Sequence, residues 1–230
     1  MRPFHLFGPD HLVAVLVIVG ACAAALRFGS RLPPAVRRGG SFGLCAVLLC
    51  YAGATYLHLA QIGRPWHSIL PLHLCDLLVV LCVAALLGRN RFATELAWYW
   101  GCTGTFPAIL TPDLHAGFPE WAFLHFFWGH GALLLSIAWA VGAEDLRPSP
   151  GSSRRAFVWL VVYAAVVGVL DALFGWNYGY LCRPPAGATV VSLFGPWPWY
   201  IVTVVLIAGV AFFLLELPWR RPVEPPAPPP

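Results

Sequence analysis

The chain contains no lysine among its 230 residues, and charged residues make up only 10% of it. Without lysine there is no retinal Schiff base and no lysine-based covalent catalysis. Sparse charge, set against 59% hydrophobic residues and a mean hydropathy of +0.73, excludes a soluble domain with a wetted surface. No CxxC pair is present to suggest zinc, and Cys182 alone of the seven cysteines lies outside an apolar stretch, so no disulfide framework is expected. The other six, Cys22, Cys45, Cys50, Cys75, Cys82 and Cys102, read as small buried apolar residues. The formal charge of +4 comes from arginines of the expected cytoplasmic loops and gives no case for nucleic acid as a partner, which would want a concentrated basic face. No internal repeat is found.

What is present is a series of apolar runs, each of about the 20 residues that cross a bilayer. Seven can be read: Leu12 to Phe28, Ser41 to Leu59, Ile69 to Gly88, Phe92 to Leu110, Glu120 to Val141, Ala156 to Trp176 and Gly195 to Leu217. The expected fold class is all-α, a polytopic membrane protein with seven transmembrane helices forming one domain over residues 1–221. Residues 222–230, PVEPPAPPP, are expected to be a disordered proline-rich cytoplasmic tail.

Basic residues favour the cytoplasmic side of short loops, which orients the spans. With the N-terminus outside and the C-terminus cytoplasmic, Arg27, Arg31, Arg37, Arg38, Arg89, Arg91, Arg147, Arg154, Arg155, Arg220 and Arg221 fall inside, and only Arg2, Arg64 and Arg183 fall outside. Val19-Gly20-Ala21-Cys22 resembles a lipoprotein cleavage site. Cleavage there would leave Arg31, Arg37 and Arg38 on the wrong face, so the first run is expected to be retained as a span.

Ionisable groups at membrane depth are costly unless they line a cavity, find a partner or do chemistry. The third run carries two, His73 and Asp76, about 6 to 11 Å below its outer end at a rise of about 1.5 Å per residue. Three positions apart, they share a helical face, so Asp76 is expected to orient or charge-stabilise the imidazole. Cys75 then points about 200° away from His73, which makes a His73-activated thiolate poor and packing the favoured role for Cys75.

Other polar residues gather at the same level. The second run brings Tyr51, Thr55 and His58, the fifth His125 and His130, and the sixth Asp171 and Asn177. His58 and His125 read as snorkelling or carbonyl-bonded side chains. His130 stands between Gly129 and Gly131, which allow a neighbouring helix or a ligand to come close, and is the better cavity candidate. Metal ligation by His73, His130 and Asp76 or Asp171 is open to these residues, but no ligand spacing asks for it, so neither metal nor cofactor is expected. In the last outer loop Arg183 could hold a lipid phosphate or carboxylate, with Trp197 and Tyr200 in an interfacial aromatic belt. The candidate catalytic residues are therefore His73 as general base, assisted by Asp76 and His130, and the candidate substrate-binding residues Arg183, Asp171, Asn177, Trp197 and Tyr200.

Four segments together resemble the YwaF-like bacterial integral membrane family: Leu70-Pro71-Leu72-His73-Leu74-Cys75-Asp76, Leu110-Thr111-Pro112-Asp113, Gly129-His130-Gly131 and Gly195-Pro196-Trp197-Pro198-Trp199-Tyr200. That family is similar in turn to the transmembrane protein 164 family, acyltransferases that move fatty acyl chains between phospholipids through a cysteine and a neighbouring histidine. The resemblance implies a histidine at His73 and a second at His130, but it places the nucleophilic cysteine at Leu72, where this chain has no thiol. It also implies a phospholipid or acyl-lipid substrate, the bilayer as partner and a bacterial plasma membrane location. The expected function is a lipid-active intramembrane enzyme, acyltransferase or acyl hydrolase, with a small proton-coupled transporter or polar-solute binding protein as the alternative.

Overall fold

Proline and glycine punctuate the helices. Pro9 and Pro34 open the first two at positions where a missing amide costs nothing, and Gly151 and Gly175 bracket the penultimate one in left-handed conformations. The computed structural model describes residues 2–185 and 190–220; the expected tail at 222–230 lies outside them. The helices are α1 (Pro9–Phe28), α2 (Pro34–Gln61), α3 (Leu74–Gly88), α4 (Arg91–Trp100), α5 (Phe106–Leu110), α6 (Trp121–Gly142), α7 (Ser152–Phe174) and α8 (Trp199–Glu216). A π-helical turn, Gly101–Thr105, joins α4 to α5. Among the described residues the only β pairing is one isolated bridge between Pro3 and Ala116.

Each of the seven apolar runs contains one helix or one helical rod, the fourth being α4, the π turn and α5 together. Five helices, α1, α2, α6, α7 and α8, are long and apolar enough to cross a membrane, so the chain is a multi-pass membrane protein. α6 is the central one: half of its apolar window is buried, against 11% for α1, α2 and α7, which turn most of their apolar surface outward as lipid-facing helices do. The core around α6 joins Leu48, Leu78, Tyr99, Leu133, Ala156 and Phe212 from six helices.

Glycine lets two neighbours press against α6. A side-chain carbon at Gly142 would meet the Ala25 and Leu26 backbone of α1, and one at Gly129 would meet the Tyr51 ring of α2.

The third run departs from expectation. Ile69 to His73 are not helical, and α3 has 15 residues where the run suggested about twenty. Pro71 has no amide to donate and disfavours helix at Leu70 before it. The freed backbone groups are taken up instead by tyrosines. Leu70 N donates to the Tyr178 hydroxyl at 3.0 Å, and the Tyr163 hydroxyl donates to Leu72 O at 2.9 Å. An apolar segment can leave helical geometry only where such partners replace the missing ladder.

Candidate active site

α3 begins with His73 as its N-cap in extended conformation (φ −68°, ψ 148°). That corrects the shared helical face expected for His73 and Asp76. The Asp76 carboxylate accepts the backbone amide of His73 at 3.2 Å, closing the first turn of the helix. Among the described residues no hydrogen bond joins the His73 ring to Cys75 or His130. The ring faces the loop after α7, where its Nδ1 accepts the Gly179 amide at 3.4 Å and it lies edge-on to Tyr178 at 4.9 Å between centroids.

His130 sits on α6 facing α3. Its Nδ1 lies 2.9 Å from the Phe126 carbonyl, an acceptor only, so the proton belongs on Nδ1 and Nε2 keeps its lone pair. That Nε2 is 3.6 Å from the Cys75 Sγ. Phe126 stacks on the imidazole at 4.1 Å and fixes its plane. The thiol therefore has a base of defined tautomer, held in turn by a third group, the arrangement that activates a nucleophile. Cys75 also packs against the core cluster, as expected, but it faces this imidazole as well.

Two further features surround the thiol. Cys75 is the second residue of α3, so its sulfur lies at the amide end of the helix, where partial positive charge favours a developing anion. The first backbone bonds of this turn run from Asp76 N and Leu77 N to His73 O, at 3.0 and 3.2 Å, leaving the amides of Leu74 and Cys75 without intrahelical acceptors. The buried Thr105 hydroxyl of the π turn lies near the thiol. π-helical turns of this kind concentrate at functional sites.

The expected substrate-binding residues hold the loop after α7 in shape. Asp171, 1% exposed, accepts the Tyr178 amide through Oδ1 at 3.0 Å, and its Oδ2 is buried without a partner among the described residues. The Asn177 side chain accepts the amides of Cys182 and Arg183 and donates to the Arg183 carbonyl. Trp197 Nε1 donates to Leu181 O at 2.9 Å, and the Tyr200 hydroxyl donates to Tyr180 O. Tyr178 ties this loop to the segment before α3, donating to His67 O at 2.7 Å. Burial pushes the Tyr178 and Tyr180 hydroxyls above the ordinary tyrosine range, so both stay protonated. The Arg183 guanidinium remains exposed beyond the loop.

His125 meets Thr55 Oγ1 through Nε2 at 3.0 Å, and its ring lies over Tyr51. No group of three or more histidine, cysteine or acidic side chains suited to a metal ion occurs among the described residues. The pairing of Cys75 with His130 is the feature that sequence reasoning missed, having weighed the thiol only against the histidine of its own helix.

The TMEM164 family model matches residues 6–216 of the chain. No curated protein and no solved structure matches the chain.

Proposed function

The chain belongs to the TMEM164 family, and from that premise we propose that it is a lipid-active intramembrane enzyme, a phospholipid acyltransferase or acyl hydrolase, with Cys75 as nucleophile and His130 as its base. The observation that carries this reading is the 3.6 Å approach of Cys75 Sγ to His130 Nε2, with the other imidazole nitrogen committed to Phe126. His130 takes the thiol proton as sulfur attacks the ester carbonyl of a lipid. The unclaimed amides of Leu74 and Cys75 receive the negative charge on the carbonyl oxygen. Collapse of the adduct leaves a thioester on Cys75, and the lysolipid oxygen departs with the proton from His130. A hydroxyl of a second lysolipid, or water, then attacks the thioester and gives its proton to His130. The thiolate leaves and takes that proton back, restoring the resting pair.

His73 is a positioning residue in this scheme, holding the Gly179 turn beside the start of α3, and Asp76 maintains that start through the His73 amide. Asp171, Asn177, Trp197 and Tyr200 shape the loop from which Arg183 reaches a lipid headgroup. Seven crossings, with an outside N-terminus and a bacterial plasma membrane location, complete the reading and place the thiol in the outer half of the bilayer.

The test is lipid mass spectrometry on purified protein incubated with mixed phospholipids. Wild type is expected to release lysolipid or exchange acyl chains, and Cys75→Ala and His130→Ala to do neither while remaining folded. Turnover that survives Cys75→Ala would remove the thiol from the mechanism.

A further inference from the structure

At the other end of α3 lies a second polar site, unrelated to the thiol. A cleft of about 960 Å³ opens between the start of α2 and the end of α3, lined by Pro34, Ala35, Arg37, Arg38, Ser41 and Arg89 together with Glu144 from beyond α6. Three arginines against one carboxylate leave it positive. Glu144 is already engaged, accepting from the Arg89 guanidinium and from Ser41 Oγ at 3.0 Å. Its charge is therefore answered by Arg89, and the charges of Arg37 and Arg38 are left over.

Arg37 is fixed in place. Its Nη1 donates to Ala143 O at 2.9 Å, while its Nε is buried with no hydrogen-bond partner among the described residues. A buried donor without an acceptor is rare unless something fills it. Arg38 is exposed and makes no ion pair among the described residues. The first turn of α2 carries no side-chain cap, so the amides of Ala35 and Val36 add donors and the positive end of a 28-residue helix. Phe42 and Leu87, 59% and 47% exposed, extend one wall as apolar surface.

We propose that this cleft binds a phosphate group, presented as the headgroup of an anionic phospholipid whose acyl chains lie along Phe42 and Leu87. A phosphate oxygen satisfies guanidinium donors and helix amides together, which a chloride or a single carboxylate does less completely. The apolar wall beside the arginines is what a lipid uses and a free anion does not. Basic pockets between membrane helices hold such headgroups on the cytoplasmic side, the side to which the arginine distribution assigns this end.

The experiment is native mass spectrometry of the full chain released from mixed phosphatidylglycerol and phosphatidylcholine, with inorganic phosphate binding in detergent as a second arm. Arg38→Gln removes a charge that has no structural partner, and Arg91→Gln removes one at the same end but outside the cleft. Preferential retention of phosphatidylglycerol, reduced several-fold by Arg38→Gln and unchanged by Arg91→Gln, is the expected result. Binding of inorganic phosphate alone, with the same Arg38 dependence, would support the phosphate site and assign it to a soluble anion. Equal losses in both variants, or neither phosphatidylglycerol preference nor phosphate binding in wild type, would overturn the proposal.

Discussion

Cys75 and His130 lie 55 residues apart in the chain and on different helices, yet the sulfur of one stands 3.6 Å from the free nitrogen of the other. Removing the base alone therefore tests the pair more sharply than removing the thiol. His130→Gln keeps a polar side chain of similar reach but cannot accept and return a proton in the same way. Initial rates of acyl release are expected to fall by about 10²- to 10⁴-fold, the usual range for loss of a general base. A loss of less than tenfold would show that the thiol is activated by another group.

A different outcome is expected at His73. Its ring supports the Gly179 turn and Tyr178, so His73→Ala should loosen residues 177–183 and lower turnover several-fold. Hydrogen exchange at those amides should rise in parallel. Complete loss of turnover with unchanged exchange would make His73 the base and displace His130 from that role.

Helix spacing gives a prediction about stability. Gly142→Ala places a methyl group against the Ala25 and Leu26 backbone, which cannot swing aside, whereas Gly129→Ala meets the Tyr51 side chain. Overpacking of this kind costs about 1–3 kcal/mol. Thermal unfolding in detergent should show the larger loss for Gly142→Ala. The Gly129→Ala protein should lose activity at temperatures where it is still folded, because the insertion lies next to His130.

At the basic end of the bundle a buried carboxylate ties two helices together. Glu95, 3% exposed, accepts from Arg155 at 2.8 and 3.0 Å and from Ser149 Oγ at 2.5 Å. The Arg155 side chain is 47% exposed and regains water when the pair is broken, so most of the penalty is the loss of bonds rather than a stranded charge. Glu95→Ala is expected to cost about 1–3 kcal/mol, read as a fall in the unfolding midpoint, with little change in rate per folded molecule.

The helices were legible because lipid imposes a length and a composition that few other constraints blur. The start of α3 was not, since residues 69–73 remain as apolar as the helix that follows, and only the positions of Tyr163 and Tyr178, distant in sequence, reveal where their backbone bonds go. In the site, the glycines around His130 marked it as a close-packed position. The thiol was set aside by a rotation argument that holds within one helix and says nothing about a histidine on another. The available signal was depth, because Cys75 and His130 fall at one level of the membrane, but their facing depends on how α3 and α6 are turned toward each other. The role of Asp76 was misread for a related reason, since three residues of separation mean a shared face within a helix and a capping contact across its first turn.

α3 has 15 residues, and at about 1.5 Å per residue it measures about 22 Å, well short of the hydrocarbon thickness of about 30 Å. In the proposed seven-crossing arrangement its first turn starts beneath the headgroups, at the depth where glycerol esters of the surrounding lipids reside. On the proposed mechanism, a lipid diffusing sideways in its own leaflet would bring an ester bond to Cys75 without being lifted into water or flipped across the bilayer. Catalysis on such a substrate would track its fraction in the membrane rather than its bulk concentration, so diluting the lipid with detergent should slow turnover even when the total amount is held constant.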